Sequence, residues 1–402
     1  MRVIKIFLLF VCCISLDVQS QTFLSDTLGI NEDGSVIIAK SLALPGWILG
    51  VDVDSTDNLL FIRYRNLSKN ETSLKNRGGI SVYSLADQRM LWQRPVNYFN
   101  QDPKLTSEGV LFVTMGKATS LLDLKTGNEV WKKKKMIPYW VDAKNRMFLA
   151  YKGSYMNGVS NELEGHSLAM GEKMWSRKMS HVYGWNESGL LDDSTRLIVS
   201  DGIHLVHMGN GEGPSYAMPT GASDYKEAVA LGALGVVTGV LTGFAAVPTG
   251  PKKVMELVSN VLSDDTVFYV ASRENLFCLD RQLQPKWGYP IPDGMGSRSH
   301  LFARGDSLYM INMGTGYRNT IFDTSEAYAH EYLRLKVGWP FIACFDKRKG
   351  EKVWFRQLSD KKEMVEEFDI NWEEDALMVL FSDHIRKYSL SGDSLLSEVS
   401  WN

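Results

Sequence analysis

An apolar strand, a polar turn and a tryptophan recur along the chain. The two clearest copies are Leu122–Trp131, with the sequence LDLKTGNEVW, and Phe345–Trp354, with FDKRKGEKVW. Weaker copies bring the anchor positions at the ends of the repeats to seven: Trp92, Trp131, Trp175, Tyr216, Trp287, Trp354 and Leu396. Successive anchors are 39, 44, 41, 71, 67 and 42 residues apart. The basic period is therefore about 40 residues, the length of one four-stranded blade of a β-propeller.

A second marker gives the same number of repeats. Each interval contains an acidic or polar turn followed by an apolar strand, and these strands begin near Leu59, Val110, Met147, Leu197, Val267, Leu308 and Leu377. The two markers together predict an all-β fold, a seven-bladed β-propeller. The segment Ser35–Leu42 and the tail Leu395–Trp401 compete to complete the last blade, and a ring of eight blades is the alternative if both pair.

Each part of the repeat has a physical purpose. Asp at the turn accepts hydrogen bonds from backbone amides two residues on, and Gly supplies the positive φ of a tight hairpin. The aromatic residue at the end offers a large apolar face. We expect it to pack between neighbouring blades, since no blade buries its sheet face alone.

Four insertions interrupt the repeats. Residues 66–77, 153–164 and 314–339 lie between the second and third strands of blades one, three and six, and residues 221–251 lie between blades four and five. Strands of a blade alternate in direction, so we expect all four insertions on one face. Loops on a rigid scaffold commonly carry binding, which makes this face the functional candidate. The short acidic turns fall on the other face.

The insertion 221–251 contains an uncharged stretch, Ala228–Val247, whose twenty residues have the length of a membrane span. A single crossing would place blades one to four and five to seven on opposite sides of a membrane, which a closed propeller forbids. We therefore predict no transmembrane span but a helical insertion, followed by a second helix through Val254–Val258. Gly235, Gly239 and Gly243 would form a smooth stripe on the first helix. Packing on the propeller and docking of a partner both remain open for it.

The N-terminus predicts export. Residues 1–20 combine Arg2 and Lys5 with an apolar run and small residues before Gln21, as in a signal peptide. Residues 21–402 then form a single propeller domain in the periplasm or outside the cell. A lipid anchor on Cys12 or Cys13 is the alternative. The remaining pair, Cys278 and Cys344, is expected to be buried in strands rather than joined as a disulfide.

Composition and motifs give little support to nucleic-acid binding, metal binding or catalysis. The net charge of -3 and the pI near 6.2 give no reason to expect nucleic acid as a partner. His204 and His207 are three apart in a predicted strand and should point to opposite faces, so they would not share a metal. The sequence predicts no catalytic, cofactor-binding or metal-binding residues.

The run Asp123–Trp131 resembles the repeat of the pyrroloquinoline-quinone-type propellers, and the likeness spans nearly the whole mature chain. That family includes quinone-dependent alcohol dehydrogenases and cofactor-free propellers such as the lipoprotein of the outer-membrane barrel-assembly machinery. The resemblance implies that an enzyme of the family would use a vicinal disulfide and an acidic calcium site. Here the only adjacent cysteines are Cys12 and Cys13, so no catalytic residue carries over.

We therefore expect a non-enzymatic binding or scaffold module with a protein or cell-envelope partner and no cofactor. The alternative is a quinone-dependent oxidoreductase, or another enzyme, with its site at the central channel. The insertion 314–339 mixes aromatic residues with arginine, as recognition surfaces do. Its candidate binding residues are Tyr317, Arg318, His330, Tyr332, Arg334 and Trp339.

Overall fold

The computed structural model describes residues 24–41, 46–115, 117–154, 158–181, 185–224, 252–319, 332–391 and 394–401. Every regular element in this part of the chain is a β-strand, and all pairing is antiparallel where its register is given. Among these residues none forms a helix with the length and apolarity needed to span a bilayer. The all-β prediction is confirmed.

The chain divides into two compact units, Met1–Phe112 with Leu121–Val130 and Val113–Ser120 with Trp131–Asn402. The first strands form a hairpin: β1 (Leu24–Ile30) and β2 (Val36–Ser41). The next sheet has the strands β3 (Trp47–Asp54), β4 (Leu59–Leu67), β5 (Leu74–Ser84) and β6 (Arg89–Asn97). It is followed by β7 (Gln101–Thr106), β8 (Gly109–Thr114), β9 (Ala118–Leu122) and β10 (Glu129–Lys134).

Five more four-stranded sheets follow along the chain. The third is β11 (Met136–Asp142), β12 (Met147–Ser154), β13 (Gly158–Ser167) and β14 (Lys173–Lys178). The fourth is β15 (Glu187–Leu190), β16 (Thr195–Val199), β17 (Gly202–His207) and β18 (Ser215–Ala217). Between it and the fifth lie β19 (Ala222–Asp224) and β20 (Lys252–Val254).

The fifth sheet is β21 (Leu262–Ser263), β22 (Val267–Ala271), β23 (Asn275–Asp280) and β24 (Pro285–Pro290). The sixth is β25 (Ser299–Arg304), β26 (Ser307–Asn312), β29 (Phe341–Asp346) and β30 (Lys352–Gln357), with the hairpin β27 (Thr315–Asn319) and β28 (Tyr332–Lys336) inserted at its centre. The seventh is β31 (Glu367–Asn371), β32 (Ala376–Leu380), β33 (His384–Ser389) and β34 (Leu395–Ser400). The described residues thus form seven four-stranded sheets.

Consecutive sheets of the second unit pack face to face. Leu149 and Leu163 of the third sheet share one buried cluster with Ile198 and Val206 of the fourth. Equivalent clusters join the fourth to the fifth sheet, the fifth to the sixth and the sixth to the seventh. Four-stranded antiparallel sheets stacked in chain order are the packing of blades in a β-propeller. The fold class predicted from the repeats is confirmed at this level.

The seven anchor residues all lie on the last strand of a four-stranded sheet. The indole Nε1–H of Trp131 on β10 donates to the carbonyl oxygen of Leu168, in the β13–β14 turn, at 2.9 Å. Gly171 of that turn has φ of +65°, and a Cβ there would come within 2.7 Å of the Trp131 ring. The repeat therefore needs glycine for two reasons, its positive φ and the ring that lies against it.

One of the two alternatives for the last blade is observed, and one expectation about the large insertion is wrong. The tail pairs as β34 with β33, whereas β2 pairs with β1. Val254–Val258 is not a helix. Val254 ends strand β20, which pairs with β19, and the residues after it are irregular. A short apolar run fits a strand as well as a helix, which is why periodicity misled here.

Two sequence expectations concern residues that the structure does not describe, and a third concerns Cys278 and Cys344. The signal peptide at 1–20 and most of the insertion 221–251, including its predicted helix, lie outside the described residues. Cys278 and Cys344 are both buried and free. Their placement in strands β23 and β29 agrees with the prediction.

Candidate functional site

Two of the predicted insertions meet in the second unit. The hairpin β27–β28 opens the connection between the second and third strands of the sixth sheet, and β19–β20 lies between the fourth and fifth sheets. Met255, just after β20, forms a β-bridge with Tyr317 of β27, with N···O distances of 2.7 and 3.1 Å in the two directions. The pairing joins segments about sixty residues apart and fixes the position of both.

A cavity of about 450 Å³ lies beside this junction, and we call it the insertion pocket. Its walls come from the starts of the first strands of three sheets, β15, β25 and β31, from the segment between β20 and β21, and from the hairpin β27–β28 with the residues just before it. The lining includes the carboxamide residue Asn186 and the charged or aromatic residues Glu187, Glu256, Arg298, His300, Tyr317, Arg334, Glu366 and Phe368.

Two arginines on the pocket wall are each held by a glutamate. Arg298 Nη1 lies 2.5 Å from Glu256 Oε2, and the Arg298 guanidinium stacks over the Tyr317 ring at 5.2 Å. Arg334 Nη1 bonds Glu366 Oε2, and its Nη2 donates to the carbonyl oxygen of Val365 at 2.8 Å. The pairs neutralise these carboxylates, so they are poor metal ligands as they stand, and they hold both guanidinium groups in place.

Burial shifts the titration of three groups in the pocket. It raises the pKa of Glu256, against the opposing effect of Arg298, and it raises the pKa of Glu187, whose carboxylate accepts the backbone N–H of Val261. It lowers the pKa of His300, and the neighbouring Arg298 lowers it further. These shifts follow from the low polarity around the charged forms. The pocket is thus lined by a neutral imidazole and by carboxylates that lie close to cations or amides.

The carboxamide of Asn186 has both its oxygen and its nitrogen buried, and neither makes a hydrogen bond within the protein. The same is true of Nε of Arg334. A carboxamide offers one acceptor and two donor hydrogens in one plane.

The structure brings some of the predicted binding residues together and not others. Tyr317 and Arg334 line the insertion pocket. Trp339 is half-buried outside the lining, and its backbone N–H donates to Met295 O at 3.2 Å. Arg318 and Tyr332 lie on β27 and β28, and their side chains are not described; His330 lies outside the described residues.

The histidine pair behaves as the strand alternation predicts. His204 is buried, with its ring nitrogens 2.8 Å from Ser215 Oγ and 2.9 Å from Asp201 Oδ1. His207 is exposed on the other side of β17. The two therefore share no ligand.

Sequence reasoning missed most of the pocket wall. The missed residues share one position in the repeat, the connection into a first strand or the first two residues of that strand: Asn186, Glu187, Glu256, Arg298, His300 and Glu366. This connection has no recurring motif. Polar residues directly before each first strand are the signal that could have pointed to it.

Solved structures of known proteins resemble the chain at low sequence identity. BamB from Moraxella catarrhalis aligns over 88% of this chain and 87% of its own, at 13% identity and a TM-score of 0.41. The quinohemoprotein alcohol dehydrogenase ADHIIG from Pseudomonas putida HK5 aligns over 89% of this chain and 68% of its own, at 11% identity and a TM-score of 0.39. No curated protein matches the sequence. A family profile described as outer membrane protein assembly factor BamB matches residues 55–284, more than half of the 402 residues. The chain therefore belongs to the family of the outer membrane protein assembly factor BamB.

Proposed function

We propose that this protein is an exported, non-enzymatic seven-bladed β-propeller that binds a protein partner in the cell envelope and takes part in outer membrane protein assembly. Family membership supports the assembly role, and the sequence of residues 1–20 supports export to the periplasm or beyond. A lipid anchor at Cys12 or Cys13 is the alternative mode of attachment. The partner docks on the face that bears the insertions.

The observation that carries this proposal is the insertion pocket. The insertion hairpin β27–β28 pairs through Tyr317 with Met255, just after β20, and the residues around this bridge line a cavity beside the buried, unbonded carboxamide of Asn186. The two fixed guanidinium groups of the insertion pocket suit an extended polypeptide, because they would pair with its carboxylates or carbonyls. Asn186 would pair with the peptide backbone once its side chain turns towards the cavity.

Site-specific photocrosslinking tests the docking face. A photoreactive phenylalanine analogue replaces Tyr317 at the pocket, and in a control chain it replaces Arg348 in the β29–β30 turn, which the strand alternation puts at the opposite edge of its sheet. We expect a discrete crosslink to one envelope protein from position 317 and none from position 348. Equal crosslinking from both positions, or none from 317, would contradict the proposal.

Affinity measurements on the captured partner give a second test. Arg334→Ala should weaken binding at least about tenfold, which is about 1.4 kcal/mol, as for a buried arginine at the centre of an interface. Arg348→Ala is the matched control, because Arg348 also pairs with a carboxylate, Asp306 at 3.0 Å, but is highly exposed. It should leave the affinity within about twofold.

A further inference from the structure

Three histidines are buried in the described part of the chain, and one of them is bonded differently from the others. His204 has both ring nitrogens bonded, as described above. His166 has its Nδ1 3.3 Å from Gly171 O and its Nε2 3.0 Å from Glu164 Oε2. His384, only 5% exposed, has its Nδ1 2.6 Å from Asp383 Oδ1, whereas its Nε2 is buried with no hydrogen-bond partner.

The unbonded nitrogen of His384 faces an equally unbonded oxygen. Oε1 of Glu363, a residue that is also 5% exposed, is buried without a hydrogen-bond partner and lies 4.0 Å from Nε2. This separation is too long for a hydrogen bond. Buried polar atoms without partners are rare because they lose their hydrogen bonds to water and form none within the protein. Two such atoms that face each other point to a third group that binds both.

The local fold holds these side chains in place. His384 opens strand β33, and Asp383 precedes it in the turn after β32; the turn is closed by the hydrogen bond from Phe381 N to His384 O at 2.8 Å. The Phe381 ring stacks on the imidazole with 4.6 Å between centroids. Glu363 comes from the connection between β30 and β31. A group bound between Glu363 and His384 would therefore tie this connection to the β32–β33 turn.

The two unbonded donors suit a metal ion, because an imidazole nitrogen faces a carboxylate oxygen across 4.0 Å. Tetrahedral zinc ligands about 2.0–2.2 Å from the ion lie about 3.4 Å apart, so Nε2 and Oε1 would approach each other by about 0.6 Å on binding. Asp383 accepts from the other ring nitrogen, the arrangement by which a carboxylate fixes the tautomer and orientation of a metal-binding histidine.

We propose that Nε2 of His384 and Oε1 of Glu363 bind a divalent transition-metal cation of the zinc class, with water completing its coordination and Asp383 positioning the imidazole. Nitrogen and carboxylate donors together suit such cations. Lys361 is the competing cation at this site. Its Nζ lies 3.4 Å from Glu363 Oε2 and 3.8 Å from Asp383 Oδ2, which leaves Oε1 to the metal.

Metal titration of the untagged mature chain, residues 21–402, tests the site without any partner protein. Zinc is titrated against a chromophoric chelator, and cobalt is added separately to observe the visible absorption of a protein-bound ion. We expect one equivalent to bind. Both His384→Gln and Glu363→Gln should weaken binding at least about tenfold, and Asp383→Asn should weaken it about 10- to 100-fold as for other outer-shell carboxylates.

Two further variants separate a metal site from general effects on the fold. His204→Gln removes a buried histidine whose nitrogens are already bonded, and His207→Gln removes an exposed one; both should bind zinc as the parent does. Lys361→Gln should raise the affinity, since it removes the competing charge. Circular dichroism verifies that each variant is folded. The proposal fails if the parent binds no zinc, or if His384→Gln and Glu363→Gln retain its affinity, whatever the outcome for partner binding.

Discussion

The indole Nε1–H of Trp175 donates a hydrogen bond of 2.7 Å to the carbonyl oxygen of Met208, which belongs to the turn of the next sheet. The same relationship links Trp92 to Leu124 at 2.7 Å and Trp131 to Leu168 at 2.9 Å. In each case a glycine of positive φ follows three residues after the acceptor and lies against the ring. The repeat recognised in the sequence is therefore a contact between neighbouring sheets as well as a turn within one.

Replacing the glycine beneath an anchor ring should destabilise the protein strongly. In Gly171→Ala the new Cβ meets the Trp131 ring and the backbone must keep a φ of +65°. We expect a loss of about 2–4 kcal/mol in the free energy of unfolding, from the left-handed conformation and the overpacked ring together. Urea unfolding monitored by tryptophan fluorescence measures it.

Gly305→Ala is the control for backbone conformation alone. Gly305 has a φ of +58°, but nothing lies within 4 Å of a Cβ built there. This variant should lose only about 1–2 kcal/mol. Equal losses in both variants would show that the ring contact contributes nothing.

The indole hydrogen bond can be isolated by comparing two tryptophans. Trp131 donates to Leu168, whereas Nε1 of Trp287 is buried without a hydrogen-bond partner, although Gly350 lies against its ring in the same way. Trp131→Phe should therefore destabilise the protein by about 1 kcal/mol more than Trp287→Phe. Thermal melts of both variants check the difference, and an inverted order would contradict the role given to the hydrogen bond.

The thiol of Cys278 should resist alkylation in the folded protein. Burial raises its pKa to about 11, so only about one thiol in a thousand is ionised at pH 8, against about one in four for an unperturbed thiol. Iodoacetamide labelling followed by peptide mapping should be slow at Cys278 until a denaturant is added. Fast labelling of the native protein at pH 8 would contradict this.

The raised pKa of Cys278 also determines how the stability of the fold changes with pH. Between about pH 8.5 and the raised pKa, the unfolded chain has released the Cys278 proton and the folded chain still holds it. The unfolded state then binds fewer protons, so stability falls as pH rises through this window. Cys278→Ala should reduce this alkaline loss, as unfolding midpoints at pH 8 and pH 10 would reveal.

Removing Arg298 should destabilise the protein more than removing its partner Glu256. Arg298→Met leaves the buried Glu256 carboxylate without its cation, whereas Glu256→Gln leaves a guanidinium whose side chain is 41% exposed and reached by water. We expect a loss of about 2 kcal/mol for Arg298→Met and at most about 1 kcal/mol for Glu256→Gln. Denaturant unfolding at pH 7 compares them, with Arg348→Met as the exposed control.

Lowering the pH should reduce the loss of stability caused by Arg298→Met. Burial raises the pKa of Glu256, and loss of the arginine raises it further. A carboxyl group with a raised folded pKa destabilises the fold above that pKa and ceases to do so once it is protonated. The difference between Arg298→Met and the parent should therefore shrink from pH 7 towards about pH 4.3, the value for an unperturbed glutamate. A constant difference would contradict the interpretation.

The sequence revealed the repeating part of the fold because each sheet repeats the same local chemistry. Asp123 accepts the amide of Thr126 at 2.7 Å, and Asp346 accepts that of Lys349 at 2.8 Å, as turn formers should. The insertion pocket was not predictable in this way. Asn186 and Phe368 line the same pocket but are far apart in the sequence. The bridge between Met255 and Tyr317 likewise depends on long-range pairing that no local pattern encodes.

The hydrogen bonds that Trp131 and Trp175 donate to the turn of the following sheet also set an order in time. The acceptor of Trp131 lies 37 residues further along the chain, and that of Trp175 lies 33 residues further. Neither indole has its acceptor until the next repeat has been synthesised. Each of these two sheets therefore gains its indole hydrogen bond, a contribution of about 1 kcal/mol, only once the sheet after it has formed.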